Sequence, residues 1–429
     1  MKFLNRTLKP QNIFAFYDGK KLIIDNKFNL EKLQKKDFKV FYFNDSFQIL
    51  NLDINGEWLE LEIKLEIWKY NNWPIFMDEC FSILSNSIQS KLVCRVNLST
   101  GIKYYSYYNF AKLVKNQIKL RSLSIVNQSR EDNKKFSLLN IQLKKDLYND
   151  YKLDQKNLDS WSFGIITSGA ESEFEKLEEF VNSIIEAFRG AKRTFEVIVC
   201  SDRYIDLKDL IKDTENVKLL RYSPINSIPE IQISHKKNKI TKFSKYKNLM
   251  ICHNRYIMPK DWINQIENTG YQFTAQTITQ PILNYKGHSK HKNIPSIAAM
   301  PSLDHYGKAI LLDPYEYHPN TYINGGCIIA KKWILSKLKW NELLFWNECE
   351  DVELSRRLQD YGVILRTNSS SYLIARTPRG DYFNGFRKLL GIEKLISFLF
   401  SYWPSSPVSS NSYYLLLSKI KKLLKNFLI

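Results

Sequence analysis

Two adjacent carboxylates, Glu350 and Asp351, open a stretch whose pattern predicts a helix. Asn347 is placed to cap it, Glu353 lies one turn before Arg357, and Gly362 supplies the stop. A carboxylate held there can act as a general base, taking the proton from a hydroxyl as its oxygen attacks an electrophile. It can also do no more than complement the positive end of the helix dipole. Upstream, after Asn324, stands a flexible pair, Gly325-Gly326.

Other residues able to do chemistry fall at the ends of apolar runs. His253, Asn254 and Arg255 close the run Leu249-Met250-Ile251-Cys252. From Gln232 to Lys260 the chain carries seven Lys and one Arg with no acid, Lys236, Lys237 and Asn238 among them. That field suits a phosphate-bearing ligand, or simply a solvated helix face. Thr167, Ser168 and Gly169 end the run FGIITSG, and Asp202 ends FEVIVCSD.

Hydrophobic patterning describes the elements that must hold these groups. FGIITSG reads as a strand and turn, and the segment after it carries Phe174, Leu177, Phe180, Val181, Ile184, Ile185 and Phe188 on one helical stripe. FEVIVCSD, DLKDLIKD and VKLLRY continue the alternation of strand and helix, which predicts a doubly wound, mainly parallel α/β sheet. Ligands of such sheets gather at the carboxyl ends of the strands, where Thr167, Ser168, Gly169 and Asp202 fall, although the same residues could merely cap strands. No GxGxxG or GxxxxGK[ST] follows the first strand, against a dinucleotide-binding Rossmann domain or a P-loop NTPase.

Ahead of this unit, residues 1–156 read as a β-rich domain without legible chemistry, with strand-like runs KVFYFNDSFQIL, EWLELEIKLEIW and KLVCRVNL. The polar run from Asp132 to Lys156 marks the boundary, and residues 157–384 form the α/β domain. Residues 385–429 read as a helical, basic tail in which Leu416, Ile420, Leu423, Leu424 and Phe427 fall opposite Lys421, Lys422 and Lys425. Such a helix, over 411–429, can lie on an anionic membrane or dock on the protein itself.

The 429 residues, 44% hydrophobic, suffice for one or two cores. Sixty-three Lys and Arg against 44 Asp and Glu give +19, which favours anionic partners. No helix-turn-helix, zinc-finger or RRM signature supports nucleic acid as that partner. Six scattered cysteines without a CxxC pair predict reduced, buried thiols and a cytoplasmic setting, with neither signal peptide nor membrane span.

The order FGIITSG, FEVIVCSD, KKN, NLMICHNRYIMPKDW, YINGGCIIAKKW and ECEDVELSRRLQDYG resembles that of GT-A fold glycosyltransferases, in particular the inverting family 2 class, over about residues 161–380. The resemblance implies transfer of a sugar from a nucleotide-diphosphate donor to a hydroxyl of a glycan or lipid-linked acceptor, with inversion, in polysaccharide or glycoconjugate synthesis. Thr167, Ser168 and Asp202 would hold the donor's base and ribose, with Lys237, Asn238, His253, Asn254 and Arg255 along its diphosphate. Asn324, Gly325, Gly326 and Trp346 would line the sugar and acceptor pocket, near Trp340 and Phe345, since aromatic rings stack on sugar faces. Asp351 would be the base, with Glu350 the second choice.

In the family an Asp-x-Asp step binds a divalent metal; here His253-Asn254-Arg255 takes its place. Two versions stay open: His253 and Asn254 as ligands of Mn²⁺ or Mg²⁺, or Arg255 and the lysines neutralising the diphosphate directly. The stretch 281–320 with His288, His291, His305 and His318 suggests a lid, and His288 and His291 lack the further ligands of a zinc site. Arg366, Arg376 and Arg379 could reach phosphate or a solvated surface. Two other classes remain: a nucleotidyltransferase, which needs a glycine- and arginine-rich loop that TSGAESEFE does not supply, and a non-catalytic nucleotide-sugar or glycan-binding module.

Overall fold

The computed structural model describes residues 14–25, 39–42, 56–97, 106–146, 159–222, 232–268, 274–279, 309–310, 317, 321–344, 348–376 and 386–387, apart from positions 18, 71, 134 and 212. The first seven strands are β1 (Phe14–Tyr17), β2 (Lys21–Asp25), β3 (Lys39–Tyr42), β4 (Gly56–Ile63), β5 (Ser87–Val96), β6 (Leu123–Asp132) and β7 (Ser137–Lys145). They form one mixed sheet in the order β3-β1-β2-β4-β5-β7-β6, parallel across β2, β4 and β5 and antiparallel elsewhere. Period-two alternation explains β4: Leu59, Leu61 and Ile63 are buried, while Glu60 and Glu62 point out to Lys21 at 2.6 and 2.8 Å.

Two departures from the sequence-based expectation lie here. Helices α1 (Trp73–Leu84) and α2 (Tyr107–Leu120) pack on this sheet, so the unit is α/β rather than mainly β. The polar run from Asp132 to Lys156 also holds a strand that the sequence reading did not mark: β7 lies within it and pairs with β6 as a hairpin. The edge strand β6 exposes nearly all its residues, and it carries charges and a register shift after Ile125, features that discourage pairing with another chain.

A second sheet holds β8 (Ser160–Thr167), β9 (Thr194–Ser201), β10 (Val217–Arg221), β11 (Asn248–His253), β13 (Ala275–Thr279), β15 (Cys327–Lys331) and β16 (Arg366–Tyr372). Short strands β12 (Tyr256–Ile257) and β17 (Ile374–Ala375) pair apart from it, as do β14 (Ala309–Ile310) and β18 (Phe386–Arg387). The large sheet runs β10-β9-β8-β11-β15-β13-β16, with four parallel neighbours first and then β15 antiparallel to both β11 and β13. The doubly wound expectation therefore describes the first half, and one reversed strand breaks it in the second.

Helices α3 (Phe174–Gly190), α4 (Leu207–Leu210), α5 (Ile233–Phe243), α6 (Trp262–Asn268), α7 (Lys332–Leu338) and α8 (Glu350–Tyr361) complete this unit. The stripe of α3 packs with Phe163, Val197 and Trp262 on one face, and α5, α7 and α8 pack with Ile198, Ile251 and Ile328 on the other. Helix α5 lies very close to β8: a Cβ at Gly164 would sit 2.2 Å from Ile240 Cγ2. Gly362 caps α8 with φ 109°, as expected, and Arg357 grips Glu353 through two bonds of 2.6 and 2.7 Å.

The two sheets' units meet through buried charge. Arg366 Nη2 lies 2.6 Å from both Asp78 Oδ2 and Glu79 Oε1, and Arg121 Nη2 lies 2.8 Å from Asp78 Oδ1. Gln117 Nε2 donates to the Gly362 carbonyl at 2.7 Å. Burial pushes the Glu79 carboxyl up to about 7, against the pull of Arg366. Arg366 is thus neither a phosphate ligand nor a surface group. Among the described residues no helix is long and apolar enough to cross a membrane.

Candidate active site

The ends of β8, β9 and β11 bring Thr167, Asp202 and His253-Asn254 together, as parallel strands of one sheet must. Thr167 Oγ1 donates to Glu173 Oε2 at 2.6 Å and accepts from Asn254 Nδ2 at 3.2 Å. Ser168 donates to the same Glu173 oxygen through its backbone N at 3.0 Å and its hydroxyl at 2.9 Å. Burial alone would raise the Glu173 carboxyl, but these bonds outweigh it and hold the group below its ordinary value. Glu173 was not singled out from the sequence, where it is one of several acids around a helix start. Asp202 is ion-paired to Lys236, whose Nζ also donates to the Thr167 carbonyl at 3.2 Å.

A second network forms on the other side of β11. Lys237 is fully buried, with Nζ 3.1 Å from Glu350 Oε1, 3.1 Å from the Gly325 carbonyl and 3.8 Å from the centre of the Trp340 ring. Asp351 Oδ2 accepts from Gly325 N at 2.7 Å, so the Gly325 residue is held from both its amide and its carbonyl. Asn324 Oδ1 accepts from Gly326 N at 2.7 Å, and His253 N donates to the Gly326 carbonyl at 3.1 Å, which ties this turn to β11. The glycines are required by close approach rather than by flexibility. A Cβ at Gly325 would lie 2.8 Å from Glu350 Oε1, and one at Gly326 would lie 2.7 Å from the Tyr256 hydroxyl.

Asp351 is raised above its ordinary value first by burial and then by the neighbouring charge of Glu350; Lys237 and the amides of Gly325 and Val352 oppose this. A carboxylate with increased proton affinity is better matched to general-base work. Arg255 is half-buried beside the turn, its Nη2 3.2 Å from where a Gly326 Cβ would stand.

Other expected positions have different neighbours. Asn238 bonds the Trp340 backbone at both ends of its amide and Glu342 at 2.8 Å, so it fastens the loop after α7. Trp340 is buried in the core under Lys237. Arg376 meets Glu175 and Glu179 of α3 at 3.1 and 2.8 Å rather than a free surface. The residue capping α8 is Cys349, at φ 58° and without a side-chain cap bond, and it is the exposed member of an otherwise buried set of thiols. Trp346, Phe345, Asn347, Arg379, the four histidines of 281–320 and the 411–429 segment lie outside the described residues.

Asn254 turns its NH₂ to Thr167, Asp202 is taken by Lys236, and among the described residues no three His, Cys, Asp or Glu side chains converge.

No family model matches this chain, and no curated protein matches it in sequence. Among solved structures, S. aureus TarS 1-349 is similar over 52% of this chain and 62% of its own, at 13% identity and TM-score 0.33. The complex of TarS 1-349 with UDP-GlcNAc is similar over 58% and 68%, at 14% identity and TM-score 0.33. The catalytic domain of Drosophila beta1,4galactosyltransferase 7 with xylobiose is similar over 56% and 79%, at 10% identity and TM-score 0.31. This chain thus spans 62% of the first of them, and none of these likenesses bears on its activity.

Proposed function

We propose that this protein is a glycosyltransferase that moves a sugar from a nucleotide-diphosphate donor to an acceptor hydroxyl with inversion, using Asp351 as base. The observation that carries it is convergence: residues as distant in sequence as Thr167, Asp202, His253, Gly326 and Asp351 join in two hydrogen-bonded networks on either side of β11. The donor's base and ribose would lie against Thr167, Ser168 and Asp202. Arg255, half-buried and beside the Gly325-Gly326 turn, would meet the departing diphosphate; a guanidinium matches phosphate oxygens through two parallel bonds.

In this reading the acceptor hydroxyl approaches Asp351, gives up its proton, and attacks the anomeric carbon as the nucleoside diphosphate leaves from the opposite face. One carboxylate suffices because no covalent intermediate forms. In this reading basic side chains, Arg255 foremost, face the leaving group's charge, with or without a divalent metal beside them. The acceptor is a glycan or lipid-linked hydroxyl by this same reading.

The test is a panel of UDP-, GDP- and CMP-sugars, each with and without Mn²⁺, followed by chromatography of the released nucleotide. At least one donor is expected to be turned over slowly by water in wild type and not in Asp351→Asn. Absence of turnover and of nucleotide binding across the panel would overturn the proposal, whereas binding with no turnover would favour the non-catalytic binding module.

A further inference from the structure

The lysines of α5 have two kinds of surroundings. Lys236 and Lys237 are enclosed and each meets a carboxylate, Asp202 or Glu350; nearby Lys218 meets Glu196 at 2.8 Å. Lys239 and Lys242, three residues apart on one helix face, meet none. Together with Lys332 and Lys339 they line a groove of about 900 Å³ between α5 and α7, floored by Leu335, Thr241 and Ser336.

Among the described residues none of these four is in an ion pair. Lys239 Nζ donates to the Arg221 carbonyl, Lys332 Nζ to the Ser244 carbonyl, and Lys242 Nζ stands 5.7 Å from the Phe243 ring centre. Neutral partners leave the charge uncompensated. The one acid on the wall, Glu342, bonds His235 Nδ1 at 3.3 Å and Asn238 Nδ2 at 2.8 Å and offsets one of the four positive charges, which leaves an excess of three. Four lysines around one concavity concentrate positive charge there, and a bound anion would be attracted by that field.

We propose that this groove binds a ligand carrying at least two phosphate groups, at a site outside the cleft and independent of the reaction proposed above. The groove offers ammonium point charges and no guanidinium fork, which suits phosphate oxygens approached from several directions better than a planar carboxylate. Two of the charges come from each flank, so one phosphate cannot engage both sides equally well.

Calorimetric titration of the full chain with tripolyphosphate at 50 and 200 mM salt tests this, with sedimentation of vesicles containing cardiolipin, a lipid with two phosphates, as a second arm. Binding is expected to weaken at least tenfold with salt and at least tenfold in Lys242→Gln/Lys339→Gln, both exposed positions, while UDP affinity stays the same. Loss of vesicle capture in that variant, without tripolyphosphate binding in wild type, would assign the phosphate to a lipid headgroup. Binding of neither probe, or binding unchanged in the variant, would overturn the proposal.

Discussion

Lys237→Met isolates what the buried lysine does. Its Nζ is 3.1 Å from Glu350 Oε1 and from the Gly325 carbonyl, and the side chain is fully enclosed. Met keeps most of the stem and removes the charge, leaving Glu350, 8% exposed, with an uncompensated carboxylate. Removing one partner of a buried pair costs about 3–5 kcal/mol. For a unit of 150–250 residues that corresponds to a drop of roughly 10 °C in midpoint, at about 2–4 °C per kcal/mol. Lys237→Met/Glu350→Gln removes the stranded charge and should recover more than half of the loss. Thermal unfolding followed by circular dichroism on wild type, both singles and the double gives the coupling directly. A drop below about 2 °C in the single variant, or a double no better than the single, would refute the clamp as described. Lys237 also pulls the Asp351 carboxyl down against its burial, so its loss should move the acid limb of any Asp351-dependent turnover to higher pH.

Three further outcomes follow from the same geometry. Gly325→Ala drives a Cβ to 2.8 Å from Glu350 Oε1 and 3.1 Å from Asp351 Oδ2; turnover of a donor should fall at least tenfold with nucleotide affinity unchanged, as read by kinetics and UDP titration. Asp351→Asn should abolish turnover yet leave UDP binding intact, and wild-type rate should rise with pH through a pKa above the ordinary 3.8 of an aspartate. Glu79 holds its proton more tightly folded, near 7, than unfolded, near 4.5. The stability it contributes is therefore full below about pH 4.5 and is lost as pH rises to about 7, roughly 3 kcal/mol in all. Unfolding midpoints from pH 5 to 7.5 should fall more steeply in wild type than in Glu79→Gln.

What local pattern encodes was legible. The stripe of α3, the Gly362 stop and the Glu353-Arg357 pair recur because each depends on spacing within one element. Helix α1 escaped because all but one of its twelve residues are buried, so no polar face marks a period. Strand β6 escaped for the opposite reason: all its residues but Leu123 are exposed, so no alternation of buried and exposed positions marks it. The reversal of β15 and the pairing of Arg366 with Asp78 and Glu79, nearly three hundred residues away, depend on partners that no window of sequence contains.

Helix α5 shows why a run of like residues cannot be assigned as a group. Successive side chains on a helix point about 100° apart, so neighbours in the run face different surroundings. Lys236 reaches Asp202 and the Thr167 carbonyl, Lys237 turns to Glu350 and Gly325, Asn238 fastens the Trp340 backbone, and Lys239 faces the groove. The sequence pattern KKN suggested one diphosphate contact, whereas the helix divides it among Asp202, Glu350 and the Trp340 backbone, and turns the next lysine, Lys239, to an outer surface. Gly164 makes this possible, because only a residue without a Cβ lets Ile240 of α5 sit directly on β8 and brings both lysines within reach of their carboxylates. Ala at Gly164 would push the helix outward, and both networks would loosen together.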